Sequence, residues 1–206
     1  MITVLSYNVR QWTRDTNPSK PTYWRKRAKE IRALIERENP DIILLQEATF
    51  PMVGLSIPAG YKRATGCSIS HHIYCRKEYR VLSHEWHMRW CRAMIDTGKR
   101  EVNAFSVHTR WEEDIYRKTC TEITSNLMRG MTNVAGGDWN NAPDIISPLV
   151  IPMQLAKTNG TTFLNWEKEN KAELDYFACW PWTGKATHCL PCSFSMSDHL
   201  PVMLEI

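Results

Sequence analysis

Apolar positions recur along this chain at two spacings, and the points where one gives way to the other mark out its elements. ITVLSYN, residues 2–8, is a short β pattern. Over 22–38, Trp24, Ala28, Ile31 and Ile35 recur three and four residues apart, which predicts an amphipathic helix stopped by Asn39 and Pro40. DIILLQE (41–47) is a nearly continuous apolar run, as a strand covered on both faces requires, and it ends in two polar residues. SISHHIYCR, YRVLSHEW, MRWCRAMIDTG and REVNAFSVHTR predict successive strands, the last two joined by a turn at Thr97 and Gly98. A helix is predicted over 111–129, ending at Gly130, and then a strand in MTNVAGG. A looser, proline-bearing stretch over 141–160 precedes TTFLNW, ELDYFACW and LPVMLEI, which read as the closing strands.

Strands and helices mixed in this order, with hairpins in the middle, predict an α/β fold of two packed β-sheets covered by helices. The length of 206 residues and a 43% hydrophobic content fit one domain, 1–206, with a substantial core. No apolar run approaches the roughly 18 residues of a membrane span, and no leader pattern opens the chain, so a cytoplasmic, monomeric protein is expected. The seven cysteines fit that setting as free thiols. Cys189 and Cys192, with His188 beside them and Cys179 upstream, have a spacing that zinc could use, but buried thiols are the expected reading. His84 and His87 fall on opposite faces of their predicted strand, so they are not expected to share a metal.

Charge is uneven. Residues 1–118 carry 21 Lys and Arg against 13 Asp and Glu, a net +8, and residues 119–206 carry 5 against 9, a net −4. The balance suits an anionic substrate met by basic groups of the first half and a cation held by acids of the second.

Polar residues also collect at the strand ends. Asn8 ends the first strand, Gln46 and Glu47 the second, and His108 ends REVNAFSVH; Asp138 and Asn140 follow MTNVAGG, Asp175 lies in ELDYF, and Asp198 and His199 precede the last strand. In an extended GGDWN, Asp138 and Asn140 face one side and Trp139 the other, so Trp139 is expected to pack. Gly136 and Gly137 are expected to let the backbone turn and approach a ligand. Of the nine tryptophans, Trp12, Trp111 and Trp139 adjoin these polar groups and are candidates for base stacking.

Taken in order, SYN (6–8), LQE (45–47), VH (107–108), GDWN (137–140), LDY (174–176) and SDH (197–199) resemble the motifs of the endonuclease/exonuclease/phosphatase superfamily, with Trp24, Arg25, NPDIILLQE and the TTF before LDY agreeing. The resemblance implies a four-layered α/β sandwich with two central sheets and a site at one edge. It also implies hydrolysis of a phosphoester by water with Mg²⁺ or Mn²⁺. On it, Glu47 is the principal metal ligand, Asn8 holds a metal-bound water or a phosphate oxygen, and Asp198 is a further ligand. Asp138 accepts the proton of the attacking water, unless the pair of His199 and Asp175 does, and Asn140 orients that water or the phosphate. His199 donates to a non-bridging oxygen with Asp175 at its other ring nitrogen, and His108 contacts phosphate or protonates the leaving oxygen. Histidine at 108 resembles the deoxyribonuclease I-like branches, not the abasic-endonuclease branch, which has tyrosine there. Three departures stand out: Thr109, Arg110 and Trp111 replace the usual leucine after this histidine, with Arg110 a candidate phosphate contact; no carboxylate lies between Tyr61 and Lys77 to orient His108, where Ser68, Ser70, His71 and His72 stand; and Glu173 replaces a basic residue. Short loops favour an open site and a nuclease acting on DNA or RNA. A phosphatase on inositol, sugar or lipid phosphates shares all these residues, and a catalytically inactive nucleic-acid-binding module is the third reading.

Overall fold

Two six-stranded sheets packed face to face form the centre of the molecule, in a computed structural model that describes residues 1–10, 19–20, 23–49, 52–65, 70–158, 160–164, 171–181, 188–189 and 197–206. The elements run β1 (Thr3–Asn8), α1 (Trp24–Glu38), β2 (Ile42–Gln46), α2 (Met52–Ser56), β3 (Tyr61–Arg63), β4 (His72–Arg76), β5 (Arg80–Trp86), β6 (Trp90–Asp96), β7 (Glu101–His108), α3 (Glu113–Ser125), β8 (Thr132–Asp138), α4 (Pro143–Ile146), β9 (Gln154–Ala156), β10 (Phe163–Leu164), β11 (Lys171–Ala172), β12 (Asp175–Trp180), β13 (His188–Cys189) and β14 (Val202–Glu205). The first sheet has the order β13-β14-β1-β2-β4-β3 and the second β5-β6-β7-β8-β12-β9. Both are mixed: β1 pairs parallel with β2, and β7 parallel with β8, while their other neighbours run antiparallel.

The continuous apolar run of β2 is explained by its two faces. Ile42 and Leu44 enter the layer between the sheets, with Val4, Val102, Ala104, Val134 and Phe177. Ile43 and Leu45 enter a separate layer under α1, with Ala28, Ile31 and Ile35. The second sheet repeats the arrangement on its far side, where Phe105, Val107 and Ala135 meet Cys120 and Ile123 of α3. Helix, sheet, sheet, helix is the expected four-layered sandwich.

Asn39 stops α1 as expected: its φ of 51° is left-handed, and its N–H donates to the Ile35 carbonyl at 2.8 Å. The helix expected over 111–129 is shorter, Glu113–Ser125. Asn126 ends it early, because its amide donates to the Glu122 carbonyl and its own carbonyl is taken by the buried Asn103 side chain. The two glycines of GGDWN also have a different purpose from the one expected. A Cβ on Gly137 would lie 1.9 Å from the Val107 carbonyl oxygen of β7, and one on Gly136 would lie 2.4 Å from Phe177 and 3.0 Å from Leu44. They permit β8 to lie against its neighbours and against the opposite sheet.

Cys75, Cys91, Cys120 and Cys179 are buried free thiols, with Cys179 in the inter-sheet core, and Cys192 lies outside the described residues. Among the described residues no helix is long and apolar enough to cross a membrane.

Candidate active site

Strand parity builds the site. Side chains two residues apart share a face, so the inward stripe of β1 reads Val4, Ser6, Asn8, that of β7 reads Val102, Ala104, Ser106, His108, and that of β8 reads Val134, Gly136, Asp138. Each stripe is apolar at one end and polar at the other. Gln46 bridges the sheets midway, donating to Ser106 Oγ at 2.9 Å and Ser6 Oγ at 3.3 Å. Beyond it, register aligns the functional groups: His108 stands opposite Asp138 in the parallel pair β7 and β8, and Asp138 opposite Asp175 in the antiparallel pair β8 and β12.

At that edge Asp138 is the hub. Its Oδ2 accepts from Asn8 Nδ2 at 2.9 Å and lies 3.6 Å from both His108 Nε2 and His199 Nε2. Its Oδ1 accepts from the Asn140 backbone N–H at 2.9 Å. Asn8 Nδ2 also donates to Glu47 Oε1 at 3.2 Å, so one amide ties together two carboxylates that would otherwise repel. The Asn8 oxygen accepts from the Arg10 backbone N–H. Glu47 Oε1 lies 3.6 Å from His108 Nε2. Glu47, Arg10 and Asn140 all have a φ of 51°, so three of the described residues with left-handed backbone outside glycine sit at this edge. Such residues are held against a local preference and cluster at functional sites.

His199 is clamped from two sides. Its Nδ1 is 2.8 Å from Asp175 Oδ2, and its ring lies against Phe163 at 4.9 Å. Burial alone would strip the proton, but the Asp175 and Asp138 carboxylates outweigh it and push its pKa up to about 10. Burial pushes the Asp175 carboxyl above the usual carboxylate range, and His199 beside it pulls it back down. The two groups thus favour each other's charged form, the carboxylates raising His199 and the imidazole lowering Asp175. Thr162, in the TTF stretch, accepts from the N–H groups of Leu174 and Asp175, both at 2.9 Å, and so fixes the start of β12. Ser197 Oγ donates to the Asn8 carbonyl and accepts from the His199 N–H, which anchors the SDH loop to β1.

The other candidates take separate places. Asn140 donates one amide hydrogen to the Thr109 carbonyl at 3.1 Å and lines an open cleft of about 370 Å³ with Glu47, His71, Arg89, His108, Arg110 and Trp111. Arg110 lies 3.7 Å from Glu112. Asp198 pairs with Arg10 at 3.1 Å and belongs to neither potential metal group of the described residues. Trp139 is fully buried, stacked on Tyr176, with its indole N–H donating to the Tyr176 carbonyl at 3.1 Å. Glu173 holds the preceding loop, accepting from the Thr158 N–H and hydroxyl. Trp12 and Ser68 lie outside the described residues.

Two further groups surround His108: His71, which stands in the stretch where the orienting carboxylate is missing, and Arg89, which the sequence did not pick out. His71 meets the His108 ring edge-on at 5.8 Å and is itself 3.1 Å from the Met88 carbonyl through Nε2; burial, with His108 next, lowers its pKa to about 4. A neutral imidazole thus stands by His108. Arg89 is fixed across the hairpin, where its carbonyl accepts from the His108 N–H at 2.9 Å.

Ligand atoms of Glu47, His108 and Asp138 lie within 4.8 Å of one another, as do those of Asp138, Asp175 and His199. Two ionisable carboxylates and an imidazole, at the solvent edge of a buried layer, are a fitting donor set for a divalent cation. His199 is drawn to Asp175 and Asp138 as an ion pair instead.

A family model described as Endonuclease/Exonuclease/phosphatase family matches residues 5–199. No curated protein sequence matches the chain. Among solved structures, an endonuclease/exonuclease/phosphatase from Bacteroides vulgatus superposes with a TM-score of 0.83 at 18% identity, covering 100% of this chain and 98% of that one. A mannosyl-6-phosphatase from Bacteroides thetaiotaomicron gives 0.78 at 16% identity over 100% and 99%. D. rerio TDP2 complexed with a single-strand DNA product gives 0.74 at 14% identity over 98% and 97%. At these identities the likeness is one of fold.

Proposed function

We propose, from the premise that this chain belongs to the endonuclease/exonuclease/phosphatase family, whose members are hydrolases acting on phosphoester bonds, that it cleaves phosphodiester bonds of nucleic acid with a divalent metal ion. The observation that carries the reading is the convergence of Asn8, Glu47, His108, Asp138 and the Asp175–His199 pair, from both sheets, at one edge of the layer between them.

Glu47 is the proposed principal ligand of Mg²⁺ or Mn²⁺, because hard cations prefer carboxylate oxygen, and Asp198 is the outlying candidate. The bound cation supplies charge neutralisation for the phosphoryl group. His199, held protonated by Asp175 and Asp138, is a donor, and its Nε2 hydrogen goes to a non-bridging phosphate oxygen. The proton of the attacking water goes to Asp138 Oδ2, which Asn8 aligns and which lies 3.6 Å from both imidazoles. Asn140 orients that water or the phosphate, Asn8 steadies the two carboxylates, His108 serves the phosphate or the leaving oxygen, and Arg110 adds a phosphate contact.

The open cleft and the basic first half favour a polynucleotide, and D. rerio TDP2 with its single-strand DNA product is a neighbour of the same fold. The likeness to a mannosyl-6-phosphatase favours phosphomonoesters as the second reading. The test is a substrate panel with Mg²⁺ or Mn²⁺: single-stranded DNA, plasmid DNA, RNA, a chromogenic diester, a chromogenic monoester and mannose 6-phosphate. EDTA-sensitive cleavage of the diesters is expected. Activity confined to monoesters replaces the nuclease with the phosphatase, and binding of nucleic acid without any hydrolysis replaces both with a binding module.

A further inference from the structure

Beside the carboxylates, the ends of β6 and β7 carry a second set of groups, of which the hydrolytic reading uses only Arg110. Trp111 is 74% exposed and Met88 73% exposed, the two most open large apolar side chains among the described residues. Each adjoins an arginine, in the pairs Met88–Arg89 and Arg110–Trp111, and all four residues line the cleft that holds Glu47 and His108. Glu112, 3.7 Å from Arg110, is the acid set against these two guanidinium groups. A solvent-facing indole lies where its apolar face is wet, and core packing gives it no reason to be there. Three residues of chain reach at most about 11 Å, so the Trp111 backbone lies no farther than that from His108.

The cleft does not end there. Met88 and Arg89 form a shared wall with a second pocket of about 420 Å³, lined also by His87, Ile115 and Lys118 and by the acids Asp114 and Glu122, so Arg89 and Lys118 are the groups there that suit a phosphate. Two consecutive pockets over a common wall suit a ligand with a repeating unit; a single sugar phosphate fills one.

We propose that Trp111 is a base-stacking platform and Arg89 a backbone-phosphate contact, together forming a nucleotide subsite through which a single polynucleotide strand runs from the reacting phosphate across Met88 into the second pocket. The subsite deepens the nuclease reading and rests on it for the identity of the neighbouring centre. Stacking on an exposed aromatic side chain tolerates any base, so it gives affinity for strands without reading sequence. Arg89 supports the phosphate assignment electrostatically. Partial burial, and then the neighbouring Arg110, make its charge harder to hold, and an anion between the two guanidinium groups relieves that repulsion.

The test separates base from phosphate. Binding of a thymidine decamer and of a decamer of abasic tetrahydrofuran residues, equal in charge, is measured by competition against a labelled strand in Asp138→Asn protein, with and without Trp111→Ala or Arg89→Gln. The thymidine decamer should bind about tenfold more tightly than the abasic one, as stacking of one base implies. Trp111→Ala should abolish that ratio, whereas Arg89→Gln should weaken both decamers alike and flatten the salt dependence. Equal affinity for the two decamers, a ratio that survives Trp111→Ala, no binding of either, or stronger competition by mannose 6-phosphate overturns the subsite. Because Trp111 is exposed, its variant should melt with the parent. Cleavage by the wild type with no base preference in binding sinks the subsite alone; base-selective binding without metal-dependent cleavage sinks the hydrolytic reading alone.

Discussion

One layer of side chains, between the two sheets, has a dry end and a wet end. At the first, Val4, Ile42, Val102, Val134 and Phe177 interdigitate without a polar group among them. At the second, the same strands offer Asn8, His108, Asp138 and Asp175, with Glu47 one residue past β2. The backbone hydrogen bonding is the same ladder throughout, so what differs is what each side chain meets. Close packing makes the dry end rigid and interchangeable in chemistry. The wet end gathers carboxylates that repel one another, restrained by Asn8 and His199. Packing holds the first and the proposed chemistry lies in the second, with Gln46, Ser6 and Ser106 as the seam between them.

Breaking the close contact of β7 with β8, on which both ends depend, should have the largest effect. Gly137 lies where β8 meets β7, and a Cβ there would penetrate the Val107 carbonyl, so Gly137→Ala should yield no soluble folded protein, read by expression and circular dichroism. At the wet end, Asp138→Asn should lower the hydrolysis rate by roughly 100-fold or more while cooperative unfolding persists. At the dry end, Phe177→Ala should cost about 3–5 kcal/mol in urea denaturation. Its residual activity well below the midpoint should stay near that of the wild type. A variant of either end that produced the other end's signature would break the comparison.

A smaller effect should appear with pH. His72 is buried, with Nε2 2.7 Å from the Ala48 carbonyl and Nδ1 2.9 Å from the Arg63 guanidinium, an arrangement that only the neutral ring fits. Burial, with Arg63 next, lowers its pKa to about 4. Between pH 6.5 and 4 the unfolded chain takes up this proton first, so the stability His72 contributes is full above 6.5 and is lost as pH falls through that window. His72→Gln should flatten the dependence of denaturation midpoint on pH there by about one proton. An unchanged slope would show that another group carries it. The exposed pair of Arg32 and Glu36 on α1, by contrast, should matter by no more than about 0.5 kcal/mol when either is replaced by Ala.

Much of this site is legible in the sequence because alternation is a local property. Asn8, His108 and Asp138 continue stripes that can be followed residue by residue, and the burial of Trp139 follows from the same parity. What alternation does not carry is contact between segments distant in the chain. Which of the residues standing in place of the missing acid meets the His108 ring, His71, is decided by packing, and Arg89 reaches His108 across a hairpin, so spacing marks neither contact. Asp198 looks like one more acid in SDH until the turn at Arg10 brings a guanidinium to it. The glycines of GGDWN are misread for the same reason: the atoms that demand them, Val107 O, Phe177 and Leu44, belong to other strands. Helix α3 ends at Ser125 and not 129 because Asn103, from β7, binds the Asn126 carbonyl.

The most direct test of the account is the rate of single-stranded DNA cleavage by wild type and Glu47→Gln, each with Mg²⁺ and with excess EDTA, on protein whose melting transition is recorded alongside. Metal-dependent cleavage by the wild type, abolished by EDTA and reduced roughly 100-fold or more in a Glu47→Gln protein that melts normally, is the predicted result. Cleavage that survives EDTA, or that Glu47→Gln leaves intact, would contradict the assignment of the wet end as a metal-dependent phosphodiesterase centre.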